Sequence, residues 1–270
     1  MLVLTRVLNP RSQFHRVLQA ALTARGLTLT EICPAHDAIA QRVLCDYGAI
    51  HVGSKEILPP PICVFTSEEA VADFQKAAGW ATAKIDEHLI ELQPAAMKAL
   101  LKARAVALAE GLNISPRDGA EGTRRTYDDT VRLWNSRFLP ALDHWQELGR
   151  LTQQQTDRLR NLPVIEQVAE VLELEKDEIF FSKDFSKSVL YSIAAPGTSQ
   201  HIAMLAFDAN EFSEPRVREI LADHGWFQTV LSDLPHFTFL GLKEAELPAR
   251  GLKSVEVHGQ KFWIPDVDCP

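Results

Sequence analysis

His201, Asp208 and His236 are the residues of this chain whose types and spacing could do chemistry. His201 follows Pro196-Gly197-Thr198-Ser199-Gln200 and precedes an apolar run, Met204-Leu205-Ala206-Phe207, which Asp208 ends. A carboxylate closing such a run is costly to bury unless it is paired or binds a metal. His236 opens a second apolar segment, directly after Ser232-Asp233-Leu234-Pro235. Two imidazoles and one carboxylate are the protein ligand set of a catalytic zinc that keeps one position open. Asp233, just upstream of His236, is a free carboxylate able to act as a base. Spacing alone leaves open that the three are unrelated core residues.

The remaining candidates read as structural. His15, His88, His144 and His224 fall on expected helices among charged residues, and His51 and His258 in polar extended stretches, so all six read as solvated or helix-end histidines. Ser182, Ser186 and Ser188 have no partner pattern for a serine triad, and no Gly-rich phosphate loop exists. Trp226, Phe227, Phe237 and Phe239 read as core, because alternating strand aromatics pack cores. Cys33, Cys45, Cys63 and Cys269 show neither a C-x-x-C pair nor zinc-finger spacing and read as free thiols, an oxidised pair among the first three being the alternative. Ser199 is a candidate to hydrogen-bond substrate or orient the site, with a plain turn serine as the alternative.

Ser199-Gln200-His201, followed by Ala206 and Asp208, resembles the Ser-x-His-x-x-Gly-x-Ala-x-Asp signature of zinc D-alanyl-D-alanine carboxypeptidases of the VanY type. Asp233-Leu234-Pro235-His236 resembles that family's Glu-x-x-His. The resemblance implies one Zn2+ ion held by His201, Asp208 and His236, with Asp233 at the position of the catalytic base. Upstream, Leu92-Gln93-Pro94-Ala95-Ala96 resembles the start of the helix before the family's first core strand, and Arg125-Thr126-Tyr127 resembles the end of its Ser-Gly-Tyr-Arg-Ser-Tyr motif. The arginine of that motif holds the substrate's terminal carboxylate. Arg125 is therefore the implied clamp, with Arg117 and Arg124 as further candidates in the insertion that splits the motif. A guanidinium fork matches a free carboxylate, which is what an exopeptidase must read.

The resemblance covers roughly residues 90–265 and implies a metallopeptidase acting on peptidoglycan stem peptides or other D-Ala-D-Ala-terminated peptides. Two departures stand out. Met204 occupies the family's Gly position, so backbone freedom there is not expected to be needed, and Asp233 shortens the base by one methylene. The second departure keeps another reading in view, a weakly active or inactive zinc-bearing module that binds peptidoglycan or a peptide.

Around these residues the pattern predicts a strand at 2–8, helices at 11–25 and 38–47, an extended stretch at 49–52, and a strand at 62–65. Thr66 or Ser67 should cap a helix to about Ala78, and Pro94 should open one closed by Gly111. A short strand is expected at 112–115. Tyr127, Val131, Trp134 and Phe138 share one helical face, and further helices are expected near 152–160 and 164–174. Strands are expected at 179–181, 189–193, 204–207, 226–231 and 236–240, with a helix at 215–224. The fold class is α+β: a central, mainly antiparallel sheet flanked by helices, Hedgehog/DD-peptidase-like by resemblance. Residues 1–90 are expected to form an N-terminal α/β subdomain, and 91–270 the catalytic domain with a helical insert at about 128–175.

Composition narrows the partners. With 28 basic and 36 acidic residues the net charge is −8, which gives no electrostatic footprint for sequence-independent nucleic-acid binding. No apolar run approaches the roughly 20 residues of a transmembrane helix, and no export signal is visible at the N-terminus. The localisation is undetermined, the cell envelope being expected if the chain is exported.

Overall fold

The computed structural model describes residues 12–34 and 37–267. The expected strand at 2–8 and Cys269 lie outside these residues. The chain divides into two compact units. The first comprises residues up to 64, 72–125 and from 200 onward; the second comprises 65–71 and 126–199. The boundary expected at residue 90 falls inside the first unit, and the segment expected as a helical insert lies within the second.

Local capping explains most helix starts. Helix α1 (Gln13–Thr23) begins where the Ser12 hydroxyl accepts from the His15 N–H, and it buries Phe14, Leu18 and Leu22 at intervals of four. The short α2 (Leu29–Ile32) starts on a reciprocal Thr28–Glu31 capping box. Asp37 caps α3 (Ala38–Tyr47) by accepting from Ile39 and Ala40. The following residues, Gly48–Val52, form a buried 3-10 turn rather than the expected extended stretch. Residues 62–65 do not form a strand either. Helix α4 (Glu68–Ala78) carries two glutamates in its first turn, where they complement the helix dipole. The Ser67 hydroxyl accepts from Ala70 N–H.

Strands β1 (Ala81–Ile85) and β2 (His88–Leu92) then form an antiparallel hairpin. Helix α5 (Pro94–Ala109) opens with Pro at its first turn, where the missing N–H costs nothing. Residues 112–115 do not form a strand; the contact there is an isolated antiparallel bridge between Pro116 and Ala209.

The second unit contains α6 (Tyr127–Glu147), α7 (Gln153–Asn161) and α8 (Val164–Leu174). Thr126–Asp129 and Thr152–Gln155 capping boxes start the first two. Trp134, Phe138 and Phe181 stack in sequence through its core. The strands expected at 179–181 and 189–193 are absent, and Val189–Tyr191 is a 3-10 turn.

The chain returns to the first unit through a 3-10 turn, Gln200–Ala203, and strand β3 (Ala206–Asp208). Helix α9 (Pro215–Asp223) leads to β4 (Trp226–Phe227) and β5 (His236–Phe239). Strands β6 (Leu252–Val257) and β7 (Gln260–Pro265) close the chain as a hairpin. The fold is mixed, with helices and small antiparallel sheets. Its strands do not build one central sheet. Among the described residues they form a two-stranded sheet (β1-β2), a three-stranded sheet (β3-β5-β4) and a second two-stranded sheet (β6-β7), every pairing antiparallel. In the three-stranded sheet β3 and β4 have only three and two residues.

Candidate metal centre

The three-stranded sheet creates the site by register. β3 and β5 run antiparallel with Asp208 directly opposite His236, so the strand end of one meets the strand start of the other. Directly opposite side chains in such a ladder stand about 4.5–5.5 Å apart at Cβ. Alternation along β5 then separates its residues: His236 and Thr238 take one face, Phe237 and Phe239 the other. His201 reaches the same point from the 3-10 turn preceding β3.

Met204 makes that approach possible. It adopts φ +54, in the left-handed region that favours glycine, between the turn carrying His201 and the strand carrying Asp208. The expectation that no backbone freedom is needed here is therefore wrong. The backbone keeps the conformation a glycine would favour, and a fully buried methionine occupies it, at a strain of roughly 1–2 kcal/mol.

Three buried glutamines hold the turn. Gln75 Nε2 donates to the carbonyls of Ile202 (3.0 Å) and Arg125 (2.9 Å). Gln93, just before α5, donates to Ala203 O (2.9 Å) from its side chain and to Met204 O (2.9 Å) from its backbone. Gln200 Nε2 donates to Tyr47 O (3.0 Å). Sequence reasoning missed all three. Their partners lie in remote parts of the chain, and a lone glutamine carries no local signature.

His201, Asp208 and His236 converge, all three buried, with one ligand atom from each lying within 4.8 Å of the others. His201 Nε2 is 3.3 Å from Asp208 Oδ2, and His236 Nδ1 is 3.1 Å from Asp208 Oδ1. The imidazole rings meet nearly edge to face, with centroids 4.9 Å apart. Ligands bonded to a tetrahedral zinc at about 2.0–2.1 Å stand about 3.3 Å from one another. Two imidazole nitrogens and a carboxylate grouped in this way could hold a metal ion, and their chemistry suits one. Burial, and then the Arg125 charge, push the His201 pKa down to about 4, so its ring is neutral at neutral pH, the form that ligates metal. Burial opposes ionisation of Asp208, but contact with His201 and His236 overrides it and holds the carboxyl well below the usual carboxylate range.

The arginines separate. Arg125 reaches the triad: Nη2 lies 3.4 Å from Asp208 Oδ2, while Nε donates to Glu121 O at 3.0 Å. Arg124 turns to Gln75 Oε1 (2.9 Å) and Glu91 Oε2 (2.7 Å), and its guanidinium covers the Trp80 ring. Arg117 donates its backbone N–H to Asp208 O (2.8 Å), but its exposed side chain lies over Phe212. Ser199 is buried.

Asp233 sits on the turn before β5, where the His236 N–H donates to its carbonyl at 3.2 Å. The residue is open to solvent, yet the protein around its carboxyl raises its pKa; Asp208 adds to the rise, while His236 and Arg125 oppose it.

Two histidines expected to be solvated, His15 and His51, are buried instead, while Trp226, Phe227, Phe237 and Phe239 are core. Cys33, Cys45 and Cys63 are buried and are not joined in disulfides. No helix among the described residues is long and apolar enough to cross a membrane. Comparisons with protein-family models, with curated proteins and with solved structures find no match.

Proposed function

We propose that the chain is a zinc-dependent peptidase with an activity of the D-alanyl-D-alanine carboxypeptidase type. The observation that carries this reading is the convergence of His201, Asp208 and His236 through the Asp208–His236 register, with Asp233 on the turn that precedes His236. Zinc bound there would polarise a scissile carbonyl and acidify a water to a pKa of about 7. Asp233 accepts the proton of the attacking water and delivers it to the departing amine. Its raised pKa suits both halves of that transfer. Arg125, which already touches Asp208, offers its guanidinium fork to the substrate's terminal carboxylate. Of the three candidate clamps its side chain is the one that bonds to the triad.

The substrate class follows from the resemblance: peptides of the peptidoglycan stem type ending in D-Ala-D-Ala. The test is hydrolysis of such a peptide by the zinc-supplemented chain, with His201→Ala as control. Release of D-Ala by the wild type alone supports the reading. Binding without turnover would favour the zinc-bearing peptide-binding module instead, a reading that the shorter Asp233 keeps in play. Neither binding nor turnover would refute both.

A further inference from the structure

We infer that Gln200 is a positioning residue for the metal centre, selecting the tautomer of His236 that leaves Nδ1 free to ligate a cation; this rests on the zinc reading above. Tyr47 fixes the orientation of the Gln200 amide. Tyr47 O is a backbone carbonyl and only accepts, so the side-chain atom of Gln200 facing it at 3.0 Å is the amide nitrogen. The amide oxygen of Gln200 therefore faces the other way, toward His236 Nε2 at 2.8 Å and Thr238 Oγ1 at 2.5 Å.

An amide oxygen only accepts. His236 Nε2 must then carry its hydrogen, and Thr238 must spend its hydroxyl hydrogen on Gln200. The Thr229 hydroxyl, 2.6 Å from Thr238 Oγ1, becomes the donor of that pair. The chain of donors thus runs from Thr229 to Thr238 to Gln200, and all three residues are buried.

A neutral His236 with hydrogen on Nε2 has a bare lone pair on Nδ1. That lone pair points at Asp208 Oδ1, 3.1 Å away, which is itself an acceptor. Two acceptors in contact repel unless a cation or a proton lies between them. Gln200 therefore builds a site that is unfavourable when empty and neutral, and favourable with a cation. A hydrogen bond of this kind to the distal nitrogen of a ligating histidine fixes ring orientation and basicity, and its loss typically costs 10–100-fold in metal affinity.

The test uses the full chain in two measurements. Nitrogen-15 spectra of the metal-free protein, taken where His236 is neutral, should show the ring protonated on Nε2. Gln200→Met, close in shape but without an amide, should release the ring to a tautomer mixture and weaken zinc binding 10–100-fold in a competition titration. Gln200→Glu keeps an acceptor for Nε2–H and should recover most of that loss, separating the hydrogen bond from mere packing. A wild-type ring protonated on Nδ1, or zinc affinity in Gln200→Met within twofold of wild type, would overturn the inference. A wild type with the expected tautomer, released in Gln200→Met, but without zinc affinity would refute the metal reading while upholding the hold of Gln200 on His236.

Discussion

Met204 offers a sharp test of how the chain brings its ligands together, because two substitutions there should break the usual order. The residue is fully buried and sits at φ +54. Met204→Ala removes a packed side chain, at a cost of about 2–5 kcal/mol, and retains the left-handed strain. Going on from Ala to Gly has opposing parts. At an ordinary buried position the loss of a methyl costs about 0.8 kcal/mol, and the greater freedom of the unfolded chain roughly 0.5–1 kcal/mol. At Met204 the same step also releases roughly 1–2 kcal/mol of strain. The parts cancel to within about 1 kcal/mol, so Met204→Gly should be about as stable as Met204→Ala. Ala203 supplies the control: it is equally buried in the adjoining turn, and its φ is not positive. Ala203→Gly should cost the full ~1.3–1.8 kcal/mol. Urea denaturation of the metal-free variants measures all three steps. A Met204→Gly variant weaker than Met204→Ala by as much as the Ala203 control would show that the backbone at 204 is not strained, and the account of the turn would fail.

Three further outcomes follow from the site. Asp233→Asn should keep its metal but lose about 10²–10⁴-fold in peptide turnover, and the acid limb of the wild-type rate profile should lie above the ordinary aspartate range, because the Asp233 pKa is raised; full activity in the Asn variant would show that another group is the base. In the metal-free chain, His201 refuses a proton until about pH 4, whereas the unfolded chain takes it near 6.5, so stability should fall as pH drops across that window. The loss from this buried group is about 3 kcal/mol, and His51, depressed to about 3 by burial and Arg25, adds in the same direction; melting curves showing the same pH slope in His201→Asn as in wild type would contradict the placement of His201. Arg125→Lys should erase a preference for free-acid over C-terminally amidated peptides, whereas Arg124→Lys should lower stability without touching that preference, since Arg124 bonds Gln75 and Glu91.

The helices were legible because their signals are local. Asp37 before α3, Ser67 before α4, Pro94 at α5 and Pro215 at α9 each mark a start within a residue or two. Short apolar runs misled. Residues 49–52, 62–65, 179–181 and 189–193 look like strands, but so short a run cannot be told from a buried turn by its pattern alone. Both hairpins escaped notice, although the turn of the second carries a signal. His258-Gly259, with φ +51 and +72, is a two-residue turn of the type that joins tightly paired strands. The ligand triad could be read because three scattered residues matched a spaced motif. The second layer, Gln75, Gln93 and Gln200, could not, because each binds carbonyls brought near only by the tertiary fold.

The most direct test of the central claim is the zinc content of the purified chain, measured by elemental analysis after loading and exhaustive dialysis, beside His201→Ala, His236→Ala and Asp233→Asn. The account predicts one zinc per chain in the wild type and in Asp233→Asn, and none retained when either histidine is lost. A folded wild-type chain that retains no zinc, or a zinc content indifferent to both histidine substitutions, would contradict it.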